Sequence, residues 1–224
     1  MAFINKHLID EISKNIKNGV KMEEAILKIC NSYYENPVHN MEDMKLRNKK
    51  IKGDIFEYFT QLYLLHIYKL KNVWLLKDLP EDIRNNLKLT KKDYGIDLIG
   101  QDDQNRFYAV QAKFKKRDVK SRVAVTWKQL STFYALCART GPYYKFIVCT
   151  TGDYVMRMGK KTWKDVTINY NSIKKITHFQ WLDICKCDKI QFEKSEKSEK
   201  SEKSEKPQLT REQLREKRLL IFNN

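Results

Sequence analysis

The sequence predicts a mixed α/β fold, a β-sheet covered by helices. Three observations predict it. Apolar residues recur at helical spacing over 52–70 and 126–139. The run KFIVCTT at 145–151 is strongly β-branched. The stretch YGIDLIGQDDQNRFYAVQAKF at 94–114 sets a polar turn between two apolar runs, the pattern of a hairpin. Strands alternating with helical segments make a helix-covered sheet, and 10 Phe, 12 Tyr and 4 Trp supply a core.

The elements follow in chain order. Residues 3–35 read as two helices split near Gly19, with Met22, Ala25, Ile26, Ile29, Cys30 and Tyr33 on one face. Over 52–70, Ile55, Phe59 and Leu62 form a stripe that Phe56, Tyr63 and Ile67 widen. NVWLL (72–76) reads as a buried strand, and Pro80 opens a short helix through EDIRNNL. After the hairpin, Trp127, Leu130, Tyr134 and Cys137 share a helical face that Gly141-Pro142 ends. KFIVCTT stops at Gly152, DVTINY is a weaker strand, and SIKKITHFQWLDI is a last element.

Beyond residue 192 the composition changes. EKSEKSEKSEKSEK (193–206) is a three-residue repeat read as a solvated linker. Past Pro207, LTREQLREKRLLIF offers a short amphipathic helix, marginal alone and expected to dock on this protein or on a partner. The expected organisation is a helical N-terminal extension (1–48), an α/β domain (49–192), the linker (193–206) and the C-terminal helix (207–224).

The charge lies on the body. Five Glu and five Lys cancel within 193–206 and residues 207–224 carry a net +2, which leaves +14 of the formal +16 on residues 1–192. A basic surface attracts polyanions, nucleic acid above all, although charge can also serve solubility alone. The 5 cysteines are an odd, scattered set that suits a reducing compartment. Cys185 and Cys187, with His178 upstream, lack the second ligand pair a zinc site needs. No run approaches the roughly 20 apolar residues of a membrane span, and the N-terminus turns charged too early for a secretory signal. The expectation is a soluble intracellular protein of the cytoplasm or of the nucleoid or nucleus.

Three polar residues in the hairpin resist a packing explanation. Strand side chains alternate faces, so Gln111 and Lys113 share one face of the second strand with the Ala112 carbonyl between them. Asp97 points opposite to Ile96 and Leu98. A four-residue turn at 102–105 would set Asp97 across from Val110, whereas a three-residue loop would set it across from Gln111. Either register brings Asp97, Gln111 and the Ala112 carbonyl into an oxygen cluster with Lys113 beside it. Such a cluster suits magnesium, a hard cation that takes oxygen ligands, keeps its waters and lowers the pKa of one of them. Glu57 completes an outer shell if its helix packs on this sheet. Plainer readings stay open: Asp97 in a surface salt bridge, Lys113 a solvated lysine of the KFKKR run, Gln111 an outward polar group, Glu57 an ordinary acid near a helix start.

GIDLIG followed by YAVQAKF resembles motifs II and III of the PD-(D/E)XK nuclease superfamily. The likeness is strongest to the Mrr-like restriction endonuclease branch, in which Gln often replaces the acidic residue of the third motif. GDIFEYF, with Glu57, resembles that branch's first-helix motif, and FIVCTTGDY is similar to its later strand and turn. The resemblance covers about residues 50–155 and extends to nuclease-like domains attached to large helicases of DNA viruses and bacteria, so a viral origin is compatible with it. It implies a restriction-endonuclease-like fold, Mg2+ dependence with Mn2+ as an alternative ion, and hydrolysis of DNA phosphodiester bonds. By residue it implies Asp97 as the metal carboxylate, Gln111 as the third-motif position, Lys113 as the catalytic lysine and Glu57 as the helix acid. Lys115, Lys116 and Arg117 are expected at DNA phosphates, and Gln129 facing the site from its helix. A homodimer, common among nucleases that cut both strands, is a compatible assembly. Two other functions fit the same residues: a catalytically silent DNA-binding module and a junction- or end-processing nuclease.

Overall fold

The structure is a computed structural model, and it describes residues 41–90, 95–116, 121–157 and 159–183, with residues 14, 15, 18, 24 and 28 besides. Of 41–51 only the backbone path is described. The helices expected over 3–35 fall almost wholly outside these residues. The linker, the C-terminal helix, Arg117, Cys185 and Cys187 also lie outside them.

The first helix, α1, runs Met41–His66. It starts well before residue 52 because 41–50 are largely good helix formers, although they carry no apolar stripe. It closes at Lys69, whose φ of 64° is left-handed. The Leu70 N–H then returns to the Leu64 carbonyl at 2.9 Å. A left-handed residue that turns the chain back onto the helix's last carbonyls is a common helix stop, with Lys where Gly is usual. Strand β1 (Asn72–Leu75) passes through a 3-10 turn (Leu76–Asp78) to α2 (Glu81–Asn86). The hairpin is β2 (Leu98–Gln101) and β3 (Phe107–Lys113). Then come β4 (Ala124–Val125), α3 (Trp127–Arg139), β5 (Lys145–Thr150), β6 (Tyr154–Val155), β7 (Asp165–Ile168) and α4 (Tyr170–Lys174). Residues 178–183 are again helical.

Five strands form the main sheet in the order β1-β2-β3-β5-β7. The pairs β1–β2 and β2–β3 are antiparallel, and β3–β5 and β5–β7 are parallel. Parallel neighbours need a crossover, and α3 supplies the one from β3 to β5. A second, two-stranded sheet pairs β4 with β6 through Ala124–Tyr154 and Val125–Val155. Its strands are too short for a periodicity signal, and nothing in the sequence announced it.

The hairpin register is the one that sets Asp97 across from Gln111: Leu98 pairs with Val110 and Ile99 with Ala109. Asp102 explains the choice. Its carboxylate accepts the N–H groups of Gln104 at 3.0 Å and Arg106 at 2.9 Å, the Arg106 Nε at 2.7 Å and the Tyr108 hydroxyl at 3.0 Å. Asn105 takes a left-handed φ of 59° and donates its N–H to the Asp102 carbonyl at 3.1 Å. A tight turn followed by one left-handed residue is the usual three-residue hairpin loop. Asn tolerates that φ because its short polar side chain bonds locally.

Each face of the sheet has its own layer. Ile99, Ala109 and Val148 pack with Leu130, Phe133 and Cys137 of α3 and with the leucines around α2. On the other face Phe56 meets Phe114 at 6.0 Å between ring centroids, and Thr60 of α1 lies beside Cys149 of β5. Phe59 packs on the buried Trp181 at 5.2 Å. The arrangement is a helix-covered mixed sheet, a restriction-endonuclease-like α/β fold. No helix among the described residues is long and apolar enough to cross a membrane.

Candidate active site at the end of the hairpin

Asp97 ends an irregular approach to β2, and its backbone is tied on both sides. Its N–H donates to the Val110 carbonyl and its carbonyl accepts from Leu76 N–H, each at 2.9 Å. The carboxylate is therefore anchored between β1 and β3, at 8% exposure. Its Oδ2 accepts the Ala112 N–H at 2.6 Å and also the side-chain amide of Gln111. The N–H and C=O of one strand residue project to the same side, so the Ala112 carbonyl also faces the β2 side of β3.

Gln111 is 1% exposed, and its Oε1 has no hydrogen-bond partner. An orphaned buried acceptor is costly, about 1–3 kcal/mol. Here it lies on the amide that touches a buried carboxylate. The pair thus gathers acceptor oxygens at a buried place.

Lys113 follows on the same face of β3, half-buried and paired in register with Thr150. Two threonines hold this stretch of chain. Thr150 Oγ1 donates to the Lys113 carbonyl at 2.7 Å and accepts the Gly152 N–H at 3.0 Å. Thr151 Oγ1 accepts the Lys115 N–H at 2.7 Å and donates to the Lys115 carbonyl at 2.8 Å. These contacts lengthen the β3–β5 pairing past its last ladder rung and fix the backbone under both lysines. Gly152 is needed because a Cβ there would lie 3.0 Å from the Val123 carbonyl oxygen. The Thr-Thr-Gly signal stood in the sequence, but it read as the plain end of a strand.

Lys115 and Gln129 meet directly: the Lys115 ammonium donates to Gln129 Oε1 at 2.7 Å. Gln129 also accepts the Thr126 N–H at 3.1 Å, one half of a capping box that starts α3. Burial, and then the neighbouring Lys113 charge, hold the Lys115 ammonium below its usual pKa. Lys116 is exposed. Glu57 is half-buried on α1, next to the Phe56 that packs on Phe114. It therefore sits in the α1 layer, at the β3 end that carries Lys113. Gln111 and Lys113 project into the α3 layer, so Glu57 approaches from the opposite face.

Among the described residues no three His, Cys, Asp or Glu side chains cluster as a metal cage. The donor set fits a hard cation in another way, with one carboxylate, one amide oxygen lacking a donor and a backbone carbonyl on the same side.

A family model described as a restriction endonuclease, Mrr_cat_2, matches residues 66–199. The match contains Asp97, Gln111, Lys113, Lys115 and Gln129 and begins after Glu57. Among solved structures, the chain is similar to an ATP-dependent Type ISP restriction-modification enzyme, LlaBIII, bound to DNA. The identity is 22% and the TM-score 0.40, over 58% of this chain and 8% of that one, so the chain spans a small part of that enzyme. No curated protein matches the chain. The family match covers more than half of the 224 residues and all seven strands, and the chain therefore belongs to this restriction endonuclease family.

Proposed function

We propose that this chain is a divalent-metal-dependent nuclease that hydrolyses DNA phosphodiester bonds at the C-terminal end of β3. The observation that carries the reading is the buried Asp97–Gln111 pair, with an amide oxygen left without a donor and Lys113 one alternation further along the same face. Asp97, Gln111 Oε1 and the Ala112 carbonyl are the groups that would hold the ion, Mg2+ or in its place Mn2+. Bound there, it would supply a water of lowered pKa and positive charge against the phosphate. The chain's own residues do the rest. Lys113 orients the attacking water and offsets the negative charge that develops on the phosphate oxygens. Lys115, steadied by Gln129, and the exposed Lys116 meet flanking phosphates, with Arg117 continuing the run. Glu57, on the opposite face of the sheet, takes no part in holding the ion.

Gln111 supplies an acceptor without a charge, which weakens metal binding relative to a second carboxylate. That neutral position supports a second reading, a silent module that binds DNA without cutting it. The test is plasmid nicking with and without Mg2+, wild type against Lys113→Ala. The expected result is metal-dependent nicking that falls about 100-fold or more in the variant, with an unchanged melting temperature. Equal nicking by both proteins would remove Lys113 from the mechanism. Salt-sensitive binding with no nicking under Mg2+ or Mn2+ would favour the silent module, and cleavage confined to branched or ended substrates would favour a junction- or end-processing nuclease.

A further inference from the structure

The opposite end of the sheet carries an aromatic ladder that the hairpin chemistry does not use. Tyr68 meets Tyr108 at 6.4 Å, Tyr108 meets Tyr144 at 5.6 Å, and Tyr144 meets Trp163 at 5.7 Å, each edge to face. The ladder runs from the end of α1 across the starts of β3 and β5 to the approach to β7. Its outermost ring, Trp163, is 64% exposed. Trp163 therefore contributes little to the core and leaves most of an indole in water.

Cations surround the exposed ring. Lys145 Nζ lies 4.6 Å and Lys164 Nζ 5.7 Å from the Trp163 centroid. Arg106 stacks 3.8 Å over Tyr144. Lys160 and Lys161, just before Trp163, are exposed as well.

The loop is built rather than merely exposed. The buried Asp165 accepts the Thr162 N–H at 2.9 Å and the Thr162 hydroxyl at 2.8 Å, and also the Tyr134 hydroxyl at 3.1 Å. Lys145 donates to the Trp163 carbonyl, and the Phe146 N–H donates to the Lys164 carbonyl at 2.8 Å. The loop is thus pinned from beneath, and Asp165 is occupied below instead of neutralising the lysines above. The result is a fixed indole with aromatic neighbours inside a positive rim.

We propose that this surface binds unpaired nucleic acid, with a base stacked on Trp163 and its phosphates on Lys145, Lys160, Lys161 and Lys164. Base stacking on an aromatic ring combined with a cationic groove is how single strands are held without sequence preference. A duplex keeps its bases stacked on one another and offers Trp163 no free face. The surface lies about 20 Å from Lys113, the length of β3, so the two sets of residues are separate.

The test is binding of labelled oligo-dT of about 15 nucleotides to the full chain in EDTA, where no metal-dependent cleavage interferes. Trp163→Ala should weaken binding about 5- to 100-fold, the range that losing one stacked base gives. Trp163→Phe should recover most of the loss, and the same-length duplex should change by less than about twofold. Oligo-dT should also quench indole fluorescence in the wild type and not in Trp163→Ala. Unchanged oligo-dT binding in Trp163→Ala overturns the proposal, as does an equal loss for single strand and duplex. Displacement by polyglutamate as effective as by unlabelled oligo-dT also overturns it, in favour of an acidic protein partner. Plasmid nicking is scored separately: Trp163-dependent binding without nicking sinks the nuclease reading and leaves this one standing. Nicking with Trp163-independent binding does the reverse.

Discussion

Two aspartates of this chain are equally buried, each at 8% exposure, in different surroundings. Asp165 is surrounded by donors: two from Thr162, one from the Tyr134 hydroxyl, and the Arg157 guanidinium, with Nε at 3.8 Å. Burial alone would raise its pKa, but those hydrogen bonds and then the Arg157 charge hold its carboxyl below the usual carboxylate value. Asp97 accepts a backbone N–H and an amide, and the amide brings with it an oxygen that has no donor. Asp165 has the surroundings of a structural ion pair. Asp97 has the Gln111 amide against it, and the oxygen of that amide has no donor. Burial alone does not tell such surroundings apart; the groups around each carboxylate do.

The largest expected effect comes from neutralising each in turn. Asp97→Asn should cost roughly 10³-fold in metal-dependent nicking, on the scale of losing one electrostatic group of a reaction centre. It should leave the fold intact, because the isosteric amide keeps an oxygen for the Ala112 N–H. Asp165→Asn should do the opposite, with nicking retained and stability lost. Plasmid nicking and thermal melts of both variants check this, and a pattern in which both lose only stability would make Asp97 a second structural aspartate.

The contrast was only half legible in the sequence. Asp97, Gln111 and Lys113 stood out because polar residues interrupt apolar runs on a strand, and alternation alone places Gln111 beside Lys113. The register stayed open because it rests on Asp102 and Asn105, whose turn chemistry allowed two loop lengths. Asp165 gave no signal: DVTINY reads as a weak strand, and its partners Tyr134, Arg157 and Thr162 are brought together only by the crossover topology. The same holds for Thr150 and Thr151, whose β-branched side chains suit a strand end equally well when they bond nothing. Helix existence was readable from apolar stripes. The start of α1 was not, because 41–50 are helix formers without a stripe.

The second effect is a stability that depends on pH. Asp165→Asn leaves Arg157, whose side chain is 14% exposed, beside a neutral amide, and the expected cost is about 3 kcal/mol at neutral pH. Because the folded state lowers the Asp165 pKa, its contribution is complete above the usual carboxylate value of 3.8 and fades as pH falls through the lower folded value. Urea melts of wild type and Asp165→Asn should therefore differ at pH 7 and draw together as the pH falls below 3.8. A gap that persists undiminished in acid would mean that the loss comes from packing and not from the carboxylate charge.

The smallest expected effect tests the neutral partner of Asp97. Gln111→Glu places a second carboxylate against the first. Two like charges buried in contact raise the cost of the metal-free fold. The same change gives a divalent ion a charged ligand in place of an amide oxygen. The variant should melt lower than wild type in EDTA and recover that loss in millimolar Mg2+. Half-maximal nicking should occur at about tenfold less Mg2+, a shift worth about 1.4 kcal/mol. If the melting temperature falls in EDTA and Mg2+ restores none of it, the acceptor oxygens around Asp97 do not form a cation site. The distinction drawn between the two buried aspartates would then rest on Lys113 alone.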